Sequence, residues 1–358
     1  MDFLSLIPSP DTIPAPAMLF LVLDVILFTV HILLINMILG SGLITIFSGF
    51  KKAGDSPENA LHGPAVNKIP TLFALGINMG IAPLLFIQVI YGHLFYTSSV
   101  LMAFYWIMII PFLIIAYYGA YIHSRKYSVS RLLSKAALWI MVIMILYIGF
   151  MLVNNNTLML QPQKWAAYFD NRNGTILNLK DASLIPRYLH FVTASVALGG
   201  LFLAFMWSRK ETKSVAGAGE RVKASLEIFA WASIVQILTG CWFLISLPQD
   251  IMKNFMGGYL PSTLLLVIAI LCALGAIFIA LKGKLRPAIS MIIITILAMI
   301  INRQLLRSFY LEDVFHLDSL KLAPQYGVMT LFLFILVIGL AVVGYMLKIS
   351  MKKDEGRA

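Results

Sequence analysis

Six histidines occur in 358 residues, and two of them lie inside long apolar runs: His31 in HILLINMILG and His190 in PRYLHFVTASVALGGLFLAFM, residues 186–206. An ionisable side chain within such a run is costly to keep, so it reads first as functional. Neutral imidazole is a favoured ligand for iron, haem iron included. The competing reading is a hydrogen bond to a neighbouring helix. Each of the two histidines is followed nine residues later by a glycine, Gly40 and Gly199, and glycine at a helix crossing lets a backbone or a flat ring approach closely. At a helical rise of about 1.5 Å per residue, His31 lies ~30 Å from Lys51 and His190 about 28 Å from Arg209. The two imidazoles therefore sit at one depth, as a pair of iron ligands would.

Other polar groups gather at the same level. Arg187, Arg303 and Arg307 fall at the ends of apolar runs, where guanidinium groups can pair with the carboxylates of a porphyrin or simply snorkel to the interface. His93 ends a run and His316 lies in a loop, which makes them weaker candidates for cofactor binding. Asp24, seven residues before His31, shares its helix face and can tune a ligand, pass protons or pair with another helix. Asn36, Asn78, Gln88 and Gln236 read as buried amides that join helices, and Glu227 as a group reaching the surface. Most of the 18 methionines are packing residues, with Met329 a candidate axial ligand. His62 and His123 stand at the other end, beside Lys and Arg. Cys241 and Cys272 lie in apolar runs and there is no CxxCH, so neither a disulfide nor covalently attached haem is expected.

The elements that must position these groups are membrane helices. Hydrophobic residues make up 60% of the chain, charged residues 12%, and the mean hydropathy is +0.89, too apolar for a soluble domain. Nine runs are long enough to span a bilayer: 18–49, 69–95, 99–123, 132–155, 186–207, 225–247, 260–281, 286–303 and 327–348. The expected fold is an all-α integral membrane protein, one polytopic domain over 1–358. The first twenty residues lack a basic region and contain prolines, so the first span is expected to stay in the mature chain. With the N-terminus outside and the C-terminus cytoplasmic, 19 of the 27 basic residues fall on the inner face, the bias that orients membrane proteins. The net charge of +11 is dispersed between spans, so the expected partner is a lipid bilayer and not nucleic acid. The outer loop 156–185 carries a short amphipathic piece, Gln163 to Phe169, and reads as a lid. Its sequon at Asn173 would be a chance match in a bacterial host. The echo between His31–Gly40 and His190–Gly199 predicts two four-helix units plus a ninth helix.

Several stretches resemble subunit I of the cytochrome bd-type quinol oxidases. SSVLMAF (98–104) is similar to the start of that family's third helix. Leu160-Gln161-Pro162 followed by RYLHFVTASVALGG (187–200) is similar to its outer loop and histidine helix, and INRQLL (301–306) keeps Arg303 and Gln304 of its GRQPW motif. The resemblance implies haem b, one or two per chain, with His190 on the low-spin haem and His31 on the haem pair where oxygen is reduced. It also implies quinol or quinone as substrate, an outer-face cytochrome or second membrane subunit as partner, and the bacterial cytoplasmic membrane as location. The departures are chemical. The family's acidic positions fall near Ser99, Ile107 and Ile300, its methionine ligand before the seventh helix has no clear counterpart, and its quinol loop shrinks to Pro248–Tyr259. The resulting expectation is a haem b electron-transfer subunit between membrane quinol and an outer-face redox partner, without O2 reduction. The alternatives are a working terminal quinol oxidase and a haem-free transporter or assembly scaffold.

Overall fold

A computed structural model describes residues 3–48 and 60–355. The described chain is helical throughout, with 81% of it in helix and no strand. The long helices are α1 (Ala17–Ser48), α2 (Ile69–Leu101), α3 (Ala103–Lys126), α4 (Arg131–Met159), α5 (Leu184–Glu211), α6 (Ala218–Ile245), α7 (Leu260–Leu281), α8 (Leu285–Leu311) and α9 (Tyr326–Glu355). Among the described residues, α1 to α8 are long and apolar enough to cross a membrane, which makes this a multi-pass membrane protein. In α9 the apolar run within the described residues, Tyr326–Gly339, is shorter than a full span, and side chains such as Phe334 and Val337 are exposed. Lys51, Lys52 and Arg357, counted above on the inner face, lie outside the described residues.

One boundary differs from the sequence expectation for a physical reason. Tyr96-Thr97-Ser98 separates the expected runs 69–95 and 99–123, yet it lies inside α2, which continues to Leu101. Thr97 donates to the His93 carbonyl at 2.8 Å, and Ser98 and Ser99 both donate to the Phe95 carbonyl. Hydroxyls that bond back to their own helix need no other partner. The chain breaks instead at Met102 (φ −110°, ψ 29°).

The packing repeats. In the first half α1 packs on α2 and α3 on α4; in the second α5 packs on α6 and α7 on α8. Each half has its own core, one containing Ile38, Phe73, Ala120 and Leu138 from α1 to α4, the other Leu201, Phe229, Ala276 and Ile292 from α5 to α8. The halves meet chiefly where α1 crosses α5. Gly40 and Gly199 form that crossing: a Cβ on Gly40 would run into the Ser195 carbonyl, and one on Gly199 would come within 2.4 Å of the Gly40 carbonyl carbon. Ser195 donates across it to Asn36 Oδ1 at 2.8 Å, with both residues buried.

Beyond the spans, the segment before α1 is tied to the segment before α9. Ile13 donates to Lys321 and accepts from Ala323, both at 2.9 Å. The loop between α4 and α5 holds a 3-10 helix at Pro162–Phe169, over the predicted amphipathic piece. That loop is closed by Asp181, which accepts from Gln161, Ser183 and Lys164.

Candidate functional site at the paired histidines

Nine residues are about two and a half turns of helix, so a histidine nine residues from a crossing glycine points to the opposite side of its helix. The two imidazoles therefore turn away from the α1–α5 crossing, each into its own half. His31 faces α2, where its Nδ1 lies 2.7 Å from the Gly76 carbonyl. Its ring fills a notch at Gly80, whose added Cβ would come within 2.6 Å of it. His190 faces α6 and fills a notch at Gly240, whose Cβ would approach to 3.0 Å. Its Nε2 lies 2.9 Å from Gln236 Nε2, and Gln236 in turn is held by Thr193. With that amide donating to Nε2, the ring proton sits on Nδ1, which is buried with no partner.

The repeat extends to the surroundings of each ring. Phe28 lies 6.1 Å from His31 and carries the Arg303 guanidinium 4.2 Å above its ring. Phe243 lies 6.4 Å from His190 and carries the Arg187 guanidinium at 4.9 Å. A histidine, a phenylalanine and an arginine thus recur in both halves, with the phenylalanine on the histidine's own helix in the first and on the facing helix in the second.

The arginines are short of acceptors. Arg187 donates one bond, to Asn156 Oδ1 at 3.0 Å, and its Nε and Nη2 are buried without a partner. Arg307, 2% exposed, donates to Gln304 at 2.7 Å and stacks on Tyr91, leaving Nε and Nη2 unpaired. Arg303 leaves Nη1 unpaired. The buried carboxylate in this cluster is Asp24, whose Oδ2 is taken by Gln304 and whose Oδ1 has no donor. Asp24 thus pairs with another helix, one of the three roles open to it from sequence. Unpaired buried donors on charged groups cost free energy that an anionic ligand would recover. The donor set at His31 suits haem: its Nδ1 is held by the Gly76 carbonyl, which leaves Nε2 for a metal, the usual arrangement of a ligating histidine, and the free guanidinium donors suit carboxylates. At His190 the Gln236 amide occupies Nε2, so ligation there requires that amide to turn away.

The remaining sequence candidates lie apart. His93 stacks on Phe315 at 5.0 Å and joins neither trio. His316 and Glu227 are exposed, and Met329 is on α9. Asn78 is exposed, a correction to its reading as a buried amide, because it lies on the outward side of α2; Gln88 meets the Tyr96 hydroxyl at 3.3 Å. Near the positions where the resembled family carries acids, Ser99 is buried and bonded to Asn155, Ile107 is exposed, and Ile300 is buried. Among the described residues no three His, Cys, Asp or Glu side chains converge as a metal site. Phe28, Phe243 and the notch glycines were not singled out from sequence, although Gly76 and Gly80 form a GxxxG pair that marks a close-approach face. Compared with known proteins, the chain matches no family model and no curated relative.

Proposed function

We propose that this chain is a haem b-binding membrane electron-transfer subunit, passing electrons between membrane quinol and a redox partner on the outer face. The observation that carries the reading is the repeated trio: His31 with Phe28 and Arg303, and His190 with Phe243 and Arg187. On this reading His31 would hold one haem through its Nε2, and His190 would hold a second once Gln236 releases its Nε2. Arg187, Arg303 and Arg307 have spare N–H groups that would pair with the propionates, and the notch glycines leave room for the imidazole rings. Haem b supplies reversible one-electron chemistry at iron. The likeness of RYLHFVTASVALGG and INRQLL to the cytochrome bd subunit supports the same assignment, and the bacterial cytoplasmic membrane is the location it implies. Reduction of O2 needs proton delivery to a buried site, and the positions that carry acids in that family fall near Ser99, Ile107 and Ile300 here. Steady oxygen consumption with a quinol donor is expected to stay at background.

The purified protein should show a haem b band in its reduced-minus-oxidised spectrum. His190→Ala and His31→Ala should each remove about half of the haem bound by two ligated sites. Unchanged haem content in either variant means that residue is not a ligand. A second reading, a haem-free transporter or scaffold, is favoured by the hydrogen bonds that already hold both rings. Well-folded protein with no haem band would leave that one standing.

A further inference from the structure

An open groove of about 750 Å³ runs along α3 on the outside of the first half, walled by Ile77 of α2 and by Leu113, Ile114, Tyr117, Tyr121, Arg125 and Lys126. Leu113, Tyr117, Tyr121 and Arg125 are spaced four apart, so they form one stripe down the helix. The Tyr117 and Tyr121 hydroxyls lie 3.3 Å apart, and the Arg125 guanidinium is 5.9 Å from the centre of the Tyr121 ring. The stripe is graded: hydrocarbon at Leu113, phenol hydroxyls next, two cations last, over about 18 Å of helix. Acyl chain, ester linkage and phosphate follow one another in that order in a phospholipid. Arg125 and Lys126 are exposed and belong to the basic face of the molecule, the face on which anionic headgroups are recognised by pockets between helices.

We propose that this groove holds one anionic phospholipid, its phosphate on Arg125 and Lys126, its ester oxygens on the Tyr117 and Tyr121 hydroxyls, and a chain against Leu113 and Ile77. The site lies apart from the histidines and stands whether or not haem binds. The test uses the full chain, stripped of lipid in detergent, with dioleoyl phosphatidylglycerol, dioleoyl phosphatidylcholine or inorganic phosphate added. Bound lipid is counted by native mass spectrometry and stability is read from thermal unfolding. One phosphatidylglycerol should be retained with a raised unfolding midpoint, while the choline lipid and phosphate alone give neither. The double variant R125Q/K126Q should weaken retention on the order of 30-fold. Ile114→Trp, which fills the groove but leaves both cations, should also displace the lipid. Equal binding of the two lipids, a shift from phosphate alone, or full retention in either variant would overturn the proposal.

Discussion

His62 lies just before α2, 3% exposed, with its Nε2 2.8 Å from the Tyr127 hydroxyl. Burial, reinforced by the nearby His123, lowers its pKa to about 3. In the unfolded chain the same imidazole binds a proton below about 6.5, so the unfolded state takes up more protons as the pH falls. Stability therefore declines from pH ~6.5 downward, by up to about 1.4 kcal/mol per pH unit for this one group. Asp181 acts in a separate window. Its burial raises the pKa, but hydrogen bonds from Ser183 and Gln161 and the charge of Lys164 outweigh it, so the carboxyl stays below its ordinary value. The stability it contributes is present above pH ~4 and is lost as the pH falls through its folded pKa. Thermal unfolding of the detergent-solubilised protein between pH 7.5 and 5 should show a falling midpoint. His62→Gln should make that slope shallower, whereas Asp181→Asn should leave it in place. An unaltered slope in His62→Gln would assign the acid sensitivity to another group.

The crossing of α1 on α5 depends on two hydrogen atoms where other residues carry a methyl group. Gly40→Ala or Gly199→Ala forces backbone against backbone, and overpacking of this kind costs about 1–3 kcal/mol or more. Either variant should lower the unfolding midpoint, while Gly275→Ala, inside a helix and with a Cβ that meets nothing within 4 Å, should not lower it. A midpoint unmoved by both crossing variants would mean that the halves do not rely on this contact. The glycines were visible from sequence because each stands at the same distance from a histidine in an apolar run. Hydropathy alone likewise located the helices, since a run of some twenty apolar residues has few other solutions in a bilayer. What sequence could not place is what depends on rotation about the helix axes. Asn78 and Asn36 are equivalent on paper, yet one faces outward and the other is bonded to Ser195 in the crossing. Phe243 reaches His190 only because α6 packs on α5, and Arg303 reaches Phe28 only because α8 comes round to α1. Thr97, Ser98 and Ser99, near the end of α2, were legible as polar but not as a continuation of that helix, because their hydroxyls donate to carbonyls of the preceding turn.

At the scale of the whole molecule, the two halves place the His, Phe and Arg groups toward one end, and that end is opposite the one rich in Lys and Arg. Only 8 of the 27 basic residues belong to the histidine side by sequence, and three of these are Arg187 and Arg303 of the trios and Arg307 in the same cluster. The remaining bias sets orientation: loops crowded with Lys and Arg resist translocation. An outer-face redox partner requires that the histidine end face outward, so topology and function are tested together. In a C241S/C272S background, Arg172→Cys would sit in the exposed loop before α5 and Lys213→Cys in the exposed loop after it. A membrane-impermeant maleimide applied to intact spheroplasts should label the first, and should label the second only after the membrane is opened. The reverse pattern would turn the histidine end to the cytoplasm. An outer-face electron acceptor would then be ruled out, while haem binding at His31 and His190 would be untouched, because the trios depend on how the helices pack and not on which side of the membrane they face.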